Sequence, residues 1–388
     1  MRTTITRAPA RQSPDAVRHL LALPDLTDPA NGPHAIQQVL AAVEAAVADH
    51  AGAPLHRHRT NPVVPVEDNY DRLGYPRDAT ARDARYTRYL SDELMLRAHT
   101  SAAMPCLHGR IAAGELHPDE PELLLSVPGL CYRRDVVDRH HVGEPHQLDL
   151  WQLRRGGAPL TEDDLEASLR VAVAAVLPGR EIRTSPAVHP YTRAGREIEV
   201  ADGDGWVEVG ECGLTEPRLL TRWGLPPEAS GLAMGLGLDR LTMLAKGIDD
   251  IRLLRARDPR IAAQLTDLSP YAPVSAMPPV RRDLSVCVPP ELDDDELVGD
   301  RVRDALGDAV RSLESIAVLS RTPVADLPPA ACQRLGARPG QVNLLVRIVL
   351  RDLERTLTAA EANVLRDRVD AALHHGTVHQ WAAGGPPS

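Results

Sequence analysis

The stretch Cys131–Leu153, CYRRDVVDRHHVGEPHQLDLWQL, constrains this chain most. Within one hairpin length it holds three arginines, three histidines, four acids and two glutamines. Cys131-Tyr132-Arg133 reads as strand, and Asp138 to Glu144, with Gly143, as a loop. Gln147–Leu153 reads as the returning strand, with Leu148 and Leu150 alternating before Trp151 breaks the pattern. Side chains alternate across a strand, so such a hairpin turns Arg133, Asp135, Gln147 and Asp149 to one face. A fixed guanidinium suits a phosphate oxygen, and a carboxylate beside an amide suits an ammonium group. The combination points to a nucleotide phosphate held next to a small zwitterion. A solvated charged face is the plain alternative. Zinc ligation by Cys131, His140, His141 and His146 is disfavoured, because neither CxxC nor HxxxH spacing occurs among them.

The length of 388 residues implies two or three domains. A formal net charge of -10 argues against a non-specific nucleic-acid binder, while leaving room for a specific RNA contact through a local patch. No apolar run approaches the ~20 residues of a membrane span. The N-terminus lacks the apolar core of a secretion signal and reads as a tail. Five scattered cysteines fit a reducing cytoplasm. Phe is absent and Lys246 is the only lysine. A GC-rich genome depletes Lys in favour of Arg, but it does not readily remove a favoured core residue altogether.

Along the chain, His34–His50 reads as a packing helix with Ile36, Val39, Leu40, Val43 and Val47 at helical spacing. Pro62–Val66 reads as a short extended segment. Tyr70, Tyr75, Tyr86 and Tyr89 interleave with Arg72, Arg77, Arg82, Arg85 and Arg88, a pattern that serves either RNA contact or loop packing. Leu94–Ser101 reads as a strand ending in polar groups. Thr161 with Asp164 starts a helix that runs to Leu177. Ile182–Tyr191, Glu197–Val200 and Trp206–Val209 read as strands. In Gly231–Lys246, GLAMGLGLDRLTMLAK, glycines permit close backbone approach, and a helix from Leu238 carries Arg240 in its first turn, where the helix dipole also favours anions. Ser269–Pro279 reads as a seam. Beyond it come strand Arg282–Val288, helix Asp294–Val310, strands Val318–Arg321 and Gln341–Leu350, and helix Ala359–His375. Thr358 and Glu361 cap that last helix and Gly376 is its expected C′ residue. The order, with a possible final strand, predicts a split βαβ, ferredoxin-like unit.

These residues resemble the phenylalanyl-tRNA synthetases, most closely the short single-chain kind of mitochondria, over roughly Asp25 to Gly376. NYDRLGYP from Asn69, RYTRY from Arg85, LRAHTSA from Leu96, CYRRDVVDRHHVGEPHQLD from Cys131 and GLAMGLGLDRLTMLAKGIDDIRLL from Gly231 carry the likeness. PPVRRDLSVCV from Pro278 and RDLERTLTAAEAN from Arg351 resemble the family's anticodon-binding domain. The implied fold is α+β: a class II synthetase antiparallel sheet core flanked by helices, followed by a ferredoxin-like domain. The implied layout is a tail at 1–24, the catalytic core at 25–268, a linker at 269–277 and the anticodon-binding domain at 278–384.

The resemblance implies ATP-dependent activation of phenylalanine, or a close aromatic analogue, and transfer to tRNA(Phe), with ATP and Mg²⁺ as cofactors. It gives Arg133 the α-phosphate and carboxylate, Arg240 the γ-phosphate, Asp135 the adenine side and His141 the phosphates or carboxylate. Ser101, Gln147 and Asp149 would hold the substrate ammonium, with His99 nearby, and Glu208 is the acidic candidate for Mg²⁺. His189 and Tyr191 stand where the family's Phe-Pro-Phe flanks the substrate ring, and Ala233 is expected at the pocket floor. Pro145 replaces the Phe of Phe-His-Gln, Asp149 replaces a Glu, and Ala103-Met104 stand where His-Gln is common. The polar wall makes a specialised enzyme for a non-standard aromatic amino acid, in biosynthesis or self-protection, the main alternative. A silent binder of tRNA or amino acid fits less well, because both arginines are present. A monomer is expected, with a homodimer as the alternative, and no editing module fits in this length.

Overall fold

The odd-numbered positions of one central strand order the larger part of the molecule. In the computed structural model, which describes residues 11–84, 86–134, 136, 138–274 and 278–379, β5 runs His146–Arg154. Of the side chains on one of its faces, Gln147 and Asp149 are polar, and Trp151 and Leu153 enter an apolar core. The chain divides into two compact units. The first comprises residues up to Arg133, Glu144–Ile248 and Ala263–Tyr271. The second comprises Arg134–Gly143, Asp249–Ala262 and the chain from Ala272 onward.

The first unit contains the strands β1 (Leu55–Arg57), β2 (Val63–Pro65), β3 (Leu94–Leu96), β4 (Glu122–Leu130), β5, β6 (Ile182–Pro186), β7 (Thr192–Asp202), β8 (Gly205–Thr215) and β9 (Ser230–Gly237). Its helices are α1 (Pro14–Leu21), α2 (Ala35–Ala51), α3 (Met104–Ala112), α4 (Glu162–Ala174), α5 (Pro217–Arg222) and α6 (Leu238–Lys246). Seven strands form one sheet in the order β1-β4-β5-β9-β8-β7-β6. Every pair is antiparallel except β1 with β4. This is the expected class II core, with one parallel pair at its edge.

Local signals place the helices. The His34 ring accepts from the Ile36 amide at 3.1 Å to start α2, and Gly52, in left-handed conformation, closes it. Thr161 and Asp164 form the expected capping box of α4. Leu123, Leu125 and Val127 of β4 pack with Trp151 and Leu153 against Met104, Leu107 and Ile111 of α3 and Leu219 and Leu220 of α5. Full burial of each such aliphatic side chain stabilises by roughly 1.5–3 kcal/mol. Ser126, which alternates with them, instead donates to Glu44 of α2 at 2.5 Å.

The second unit holds α7 (Pro259–Ala262), β10 (Val280–Val288), α8 (Asp295–Leu306), β11 (Leu313–Pro323), α9 (Pro329–Leu335), β12 (Val342–Leu350) and α10 (Ala359–Leu373). Its antiparallel sheet has the order β10-β12-β11. First, third and second strand side by side, with α8 and α10 contributing to one apolar core, follow the split βαβ plan. A final fourth strand is absent among the described residues.

Some local expectations are corrected. β4 ends at Leu130, and Arg133 makes only an isolated bridge to Thr87, so Cys131–Arg133 is not strand. The extended stretch from Leu94 stops at Leu96, and Thr100–Ala103 is a 3₁₀ turn. α1, capped by Ser13, lies within the segment read as tail. α10 ends at Leu373 with His374 as its extended cap, so Gly376 is not the C′ residue. His374 takes over this end by accepting from the Cys287 amide at 3.1 Å. Within the tyrosine–arginine cluster, Tyr70 is buried, its hydroxyl donates to the Ala81 carbonyl at 2.7 Å, and Arg82 covers its ring at 5.0 Å, while Arg72 and Arg77 are exposed.

Candidate active site

The floor of the candidate site is a register effect. On the sheet, Gln147 lies opposite Gly237, Asp149 opposite Gly235 and Trp151 opposite Ala233. Paired residues share a face, so each ligand-facing side chain of β5 has a residue with little or no side chain beside it. A Cβ added at Gly235 would meet only Asp149 Oδ1, at 4.0 Å, which leaves open space above that backbone. Gly231 is different: a Cβ there would lie 2.7 Å from Thr215 Oγ1, so it serves strand packing. The glycines read in the sequence as one feature thus divide into packing and access.

Asp149 is the most constrained group. It is 4% exposed and accepts from Ser101 Oγ at 2.7 Å, Thr100 Oγ1 at 2.8 Å and Trp151 Nε1 at 3.1 Å. Burial pushes its pKa up, and the three donors with Arg133 oppose that rise. Its oxygens are committed to the protein, so it acts on a neighbouring ammonium through its charge and through the Ser101 hydroxyl it orients. Gln147 is half-buried and accepts from the Cys131 thiol at 3.2 Å. Burial pushes that thiol up to about 11, so Cys131 stays protonated. Arg133 is fixed by Nε donating to the Ala98 carbonyl at 2.6 Å.

Aromatic rings line the apolar end. Tyr191 stacks on Trp151 at 5.9 Å and lies 6.2 Å from Tyr75, which stacks on His99 at 6.1 Å. Burial pushes the Tyr75 and Tyr191 phenols well above the ordinary value, so both stay neutral. His99 is pushed down to about 3, by burial first and then by Arg133 and His189. It is neutral at ordinary pH, with Nε2 3.3 Å from Asn69 Nδ2 and a buried Nδ1 that has no hydrogen-bond partner. His189 Nε2 is 3.0 Å from Glu211 Oε2, and its ring lies 5.3 Å from Tyr191. Ala233 is buried beside Trp151.

At the other end, Arg240 Nη1 donates to Glu208 Oε2 at 2.7 Å and to the Glu208 carbonyl at 2.9 Å. Glu197 is raised by burial and then by Glu208, Glu199 and Glu211, so carboxylates crowd this part of β7 and β8. Hard oxygen donors beside a guanidinium fit a Mg²⁺ ion held jointly by one or two carboxylates and substrate phosphates. The first unit therefore brings together His99, Ser101, Arg133, Gln147, Asp149, His189, Tyr191 and Ala233, with Arg240 and Glu208 on the adjoining strand and helix. His141 falls in the second unit, where its Nδ1 sits 2.8 Å from both Asp138 oxygens. Burial raises Asp138, but hydrogen bonds from His141 and the His140 amide outweigh it and hold it at about 2. Asp135 lies outside the described residues.

Sequence reasoning missed His146 and Asp239. His146 is fully buried, and its Nε2 accepts from the Leu26 amide at 3.0 Å. The proton therefore sits on Nδ1, which donates to Asp239 Oδ1 at 3.0 Å. Asp239 immediately precedes Arg240, so this pair ties the start of β5 to the helix that presents the guanidinium. Tyr75 was visible only as one of a tyrosine cluster. Cys131, His141 and His146 each have a separate partner, so the zinc reading has no geometric support.

The family model described as the tRNA synthetases class II core domain (F) matches residues 31–265. The chain belongs to the class II tRNA synthetase core family. Among curated relatives of this family, the phenylalanine–tRNA ligase alpha subunit of Acaryochloris marina is 34% identical over 197 residues, 50% of this chain and 56% of that one. The corresponding subunit of Nostoc punctiforme matches to the same extent. The chain thus spans little more than half the length of these relatives. The probable mitochondrial phenylalanine–tRNA ligase of Drosophila melanogaster is 27% identical over 369 residues, covering 80% of this chain and 76% of that one. Among the described residues, no helix is long and apolar enough to cross a membrane.

Proposed function

We propose that this class II core activates phenylalanine, or a close aromatic analogue, as the aminoacyl adenylate and transfers the acyl group to tRNA(Phe). The polar-to-apolar gradient along one face of β5 carries this reading: Gln147 and Asp149 for an ammonium, then Trp151 for a ring. The amino-acid carboxylate attacks the α-phosphorus of ATP, the bond to the β-phosphate oxygen breaks and pyrophosphate leaves. A terminal ribose hydroxyl of tRNA then attacks the acyl carbon and AMP leaves. Neither step requires a side-chain base of fixed identity, so the chain's task is alignment and charge neutralisation.

In this reading Arg133, held by the Ala98 carbonyl, faces the α-phosphate and carboxylate, and Arg240 takes the γ-phosphate. Ser101 and Gln147 bind the ammonium under the charge of Asp149, with neutral His99 nearby. Mg²⁺, when bound, neutralises polyphosphate charge, and Glu208 is the residue we assign to hold it. Glu208 and Arg240 would then exchange their mutual pair for cation and phosphate. Asp135 and His141 remain assigned to ATP, and the segment 278–384 to the anticodon. The reading takes the chain as a cytoplasmic monomer.

ATP–pyrophosphate exchange dependent on phenylalanine, followed by charging of tRNA(Phe), tests the proposal; no amino-acid-dependent exchange would refute it. The His189–Glu211 pair and Tyr191 favour one second reading, a preference for a ring-modified aromatic substrate. A site built to hydrogen-bond a polar ring substituent rejects the plain ring by large factors. Exchange across tyrosine and ring-hydroxylated or ring-halogenated phenylalanines separates the two, and a wide margin for phenylalanine sinks the second.

A further inference from the structure

Two short patterns outside this site converge at the outer edge of the large sheet. His56-Arg57-His58 belongs to β1 and its continuation, and His117-Pro118-Asp119-Glu120 to the loop that enters β4. β1 pairs in parallel with β4, His56 opposite Leu125, which brings residues some seventy positions apart side by side. His56 Nε2 lies 2.7 Å from Glu120 Oε2, and His117 Nδ1 lies 3.9 Å from Glu120 Oε1. One potential ligand atom from each of the three residues lies within 4.8 Å of the other two. Among the described residues this is the only such group. The His56 and His117 rings stack at 3.4 Å, and the His58 ring stands edge-on to His117 at 6.0 Å.

A simple His56–Glu120 ion pair explains one of these contacts. It leaves two imidazoles in face contact, and the buried Nε2 atoms of His58 and His117 have no hydrogen-bond partner. An unsatisfied buried polar atom costs about 1–3 kcal/mol. His117 also holds a left-handed backbone, φ 48°, which few non-glycine residues adopt. Nearby cations are diverted: Arg110 pairs with Glu115 at 3.2 Å, and Arg155 donates to the His117 carbonyl at 2.6 Å. The three side chains keep 24, 20 and 29% exposure, so an ion can enter from solvent.

We propose that His56, His117 and Glu120 form a binding site for a divalent transition-metal ion, with Zn²⁺ the best fit. Two imidazoles and one carboxylate are a donor set that zinc accepts, at about 2.0–2.2 Å each, which sets tetrahedral donors roughly 3.3–3.5 Å apart. His56 Nε2 and His117 Nδ1 approach different oxygens of Glu120, at 2.7 and 3.9 Å, so binding turns the stacked rings until their in-plane lone pairs converge on one ion. Glu120 precedes the nine-residue β4 and Arg133 follows it. At ~3.3 Å per residue β4 alone runs about 26 Å between Glu120 and Arg133. The ion therefore clasps the edge strand to the β4 entry loop and stands outside the aminoacylation chemistry.

The test uses the full chain, stripped with chelator and titrated with ZnCl₂ by calorimetry and metal analysis. One Zn²⁺ per chain is expected, with a rise in melting temperature. His56→Gln, His117→Ala and Glu120→Gln should each weaken binding by at least about tenfold. Absence of stoichiometric binding, or variants that bind as tightly as the parent, overturns the proposal. Should a variant fail to fold by circular dichroism, Co²⁺ loading of the parent decides. The intense visible bands of four-coordinate cobalt support the site, and the weak spectrum of the octahedral aquo ion overturns it.

Discussion

Replacing Asp149 by Asn separates the charge of this side chain from its hydrogen bonds. The carboxylate accepts from Ser101, Trp151 and Thr100. In Asp149→Asn the amide oxygen at the Oδ1 position keeps the Ser101 and Trp151 donors. The new NH₂ faces Thr100, whose hydroxyl can turn to accept. Hydrogen bonding is therefore preserved. Burial also raises the pKa of Asp149. A raised carboxyl pKa means the folded state holds its proton to higher pH than the unfolded state. The resulting penalty is absent below the unfolded value, grows as pH rises through the folded one, and is fully present at neutral pH. Asn removes it. Stability at pH 7 should be unchanged or slightly higher. Substrate ammonium, however, loses a buried negative charge, for which about 1.5–3 kcal/mol is a fair scale. At about 1.4 kcal/mol per tenfold, exchange activity at low amino-acid concentration should fall roughly ten- to hundredfold, chiefly through KM. Thermal melts and ATP–pyrophosphate exchange with KM and kcat resolved are the assays. A melting point lower by several degrees, or an unchanged KM, would refute the reasoning. Asp149→Ala is the contrast, because it strands three buried donors and should destabilise.

Other outcomes follow from the same geometry. Arg133→Ala and Arg240→Ala should each lower exchange by roughly 10²–10³-fold with the fold intact by circular dichroism, since each removes a charge aimed at a phosphate. Lys246, the single lysine, is buried and donates to the Asp267 and Ser269 carbonyls at 2.8 and 2.6 Å. Lys246→Met should therefore cost about 1–3 kcal/mol, read by denaturant unfolding. His108 is buried against Trp151 and Trp223 and is pushed down to about 4, chiefly by burial. Its stability contribution is complete above the unfolded value near pH 6.5 and is lost as pH falls toward 4. His108→Leu should flatten that part of the pH–stability curve by up to about 3 kcal/mol. His146→Ala should remove the imidazole from Asp239 and lower both stability and exchange, whereas a loss confined to stability would show that Arg240 does not depend on this pair.

Local patterns made much of the architecture legible. Alternation in Gln147–Leu153 identified β5 and the face it presents, because the strand period is a property of adjacent residues. The capping boxes at Thr161 and Thr358 marked helix starts within one residue, because a cap is satisfied within one turn. The same alternation did not say where pairing stops. Cys131–Arg133 has strand-like residues, but Cys131 donates its amide to the Pro145 carbonyl and the ladder ends at Leu130. Its partner supply, not its composition, decides.

By itself the sequence determined which residue types are available for phosphate and ammonium, the class of fold and the positions of its strongest helices. These depend on spacing over a few residues. Tertiary structure decided which of them meet. Asp149 has its oxygens filled by three donors, two of them nearly fifty residues away. Gly235 faces open space while Gly231 is packed, although both lie in one strand. His146 is a strut to Asp239 and not a ligand-facing group. His56 and Glu120 come together only because β1 and β4 pair in parallel. Hydrogen bonds and charges act over a few ångströms of space, and only the folded chain sets those distances.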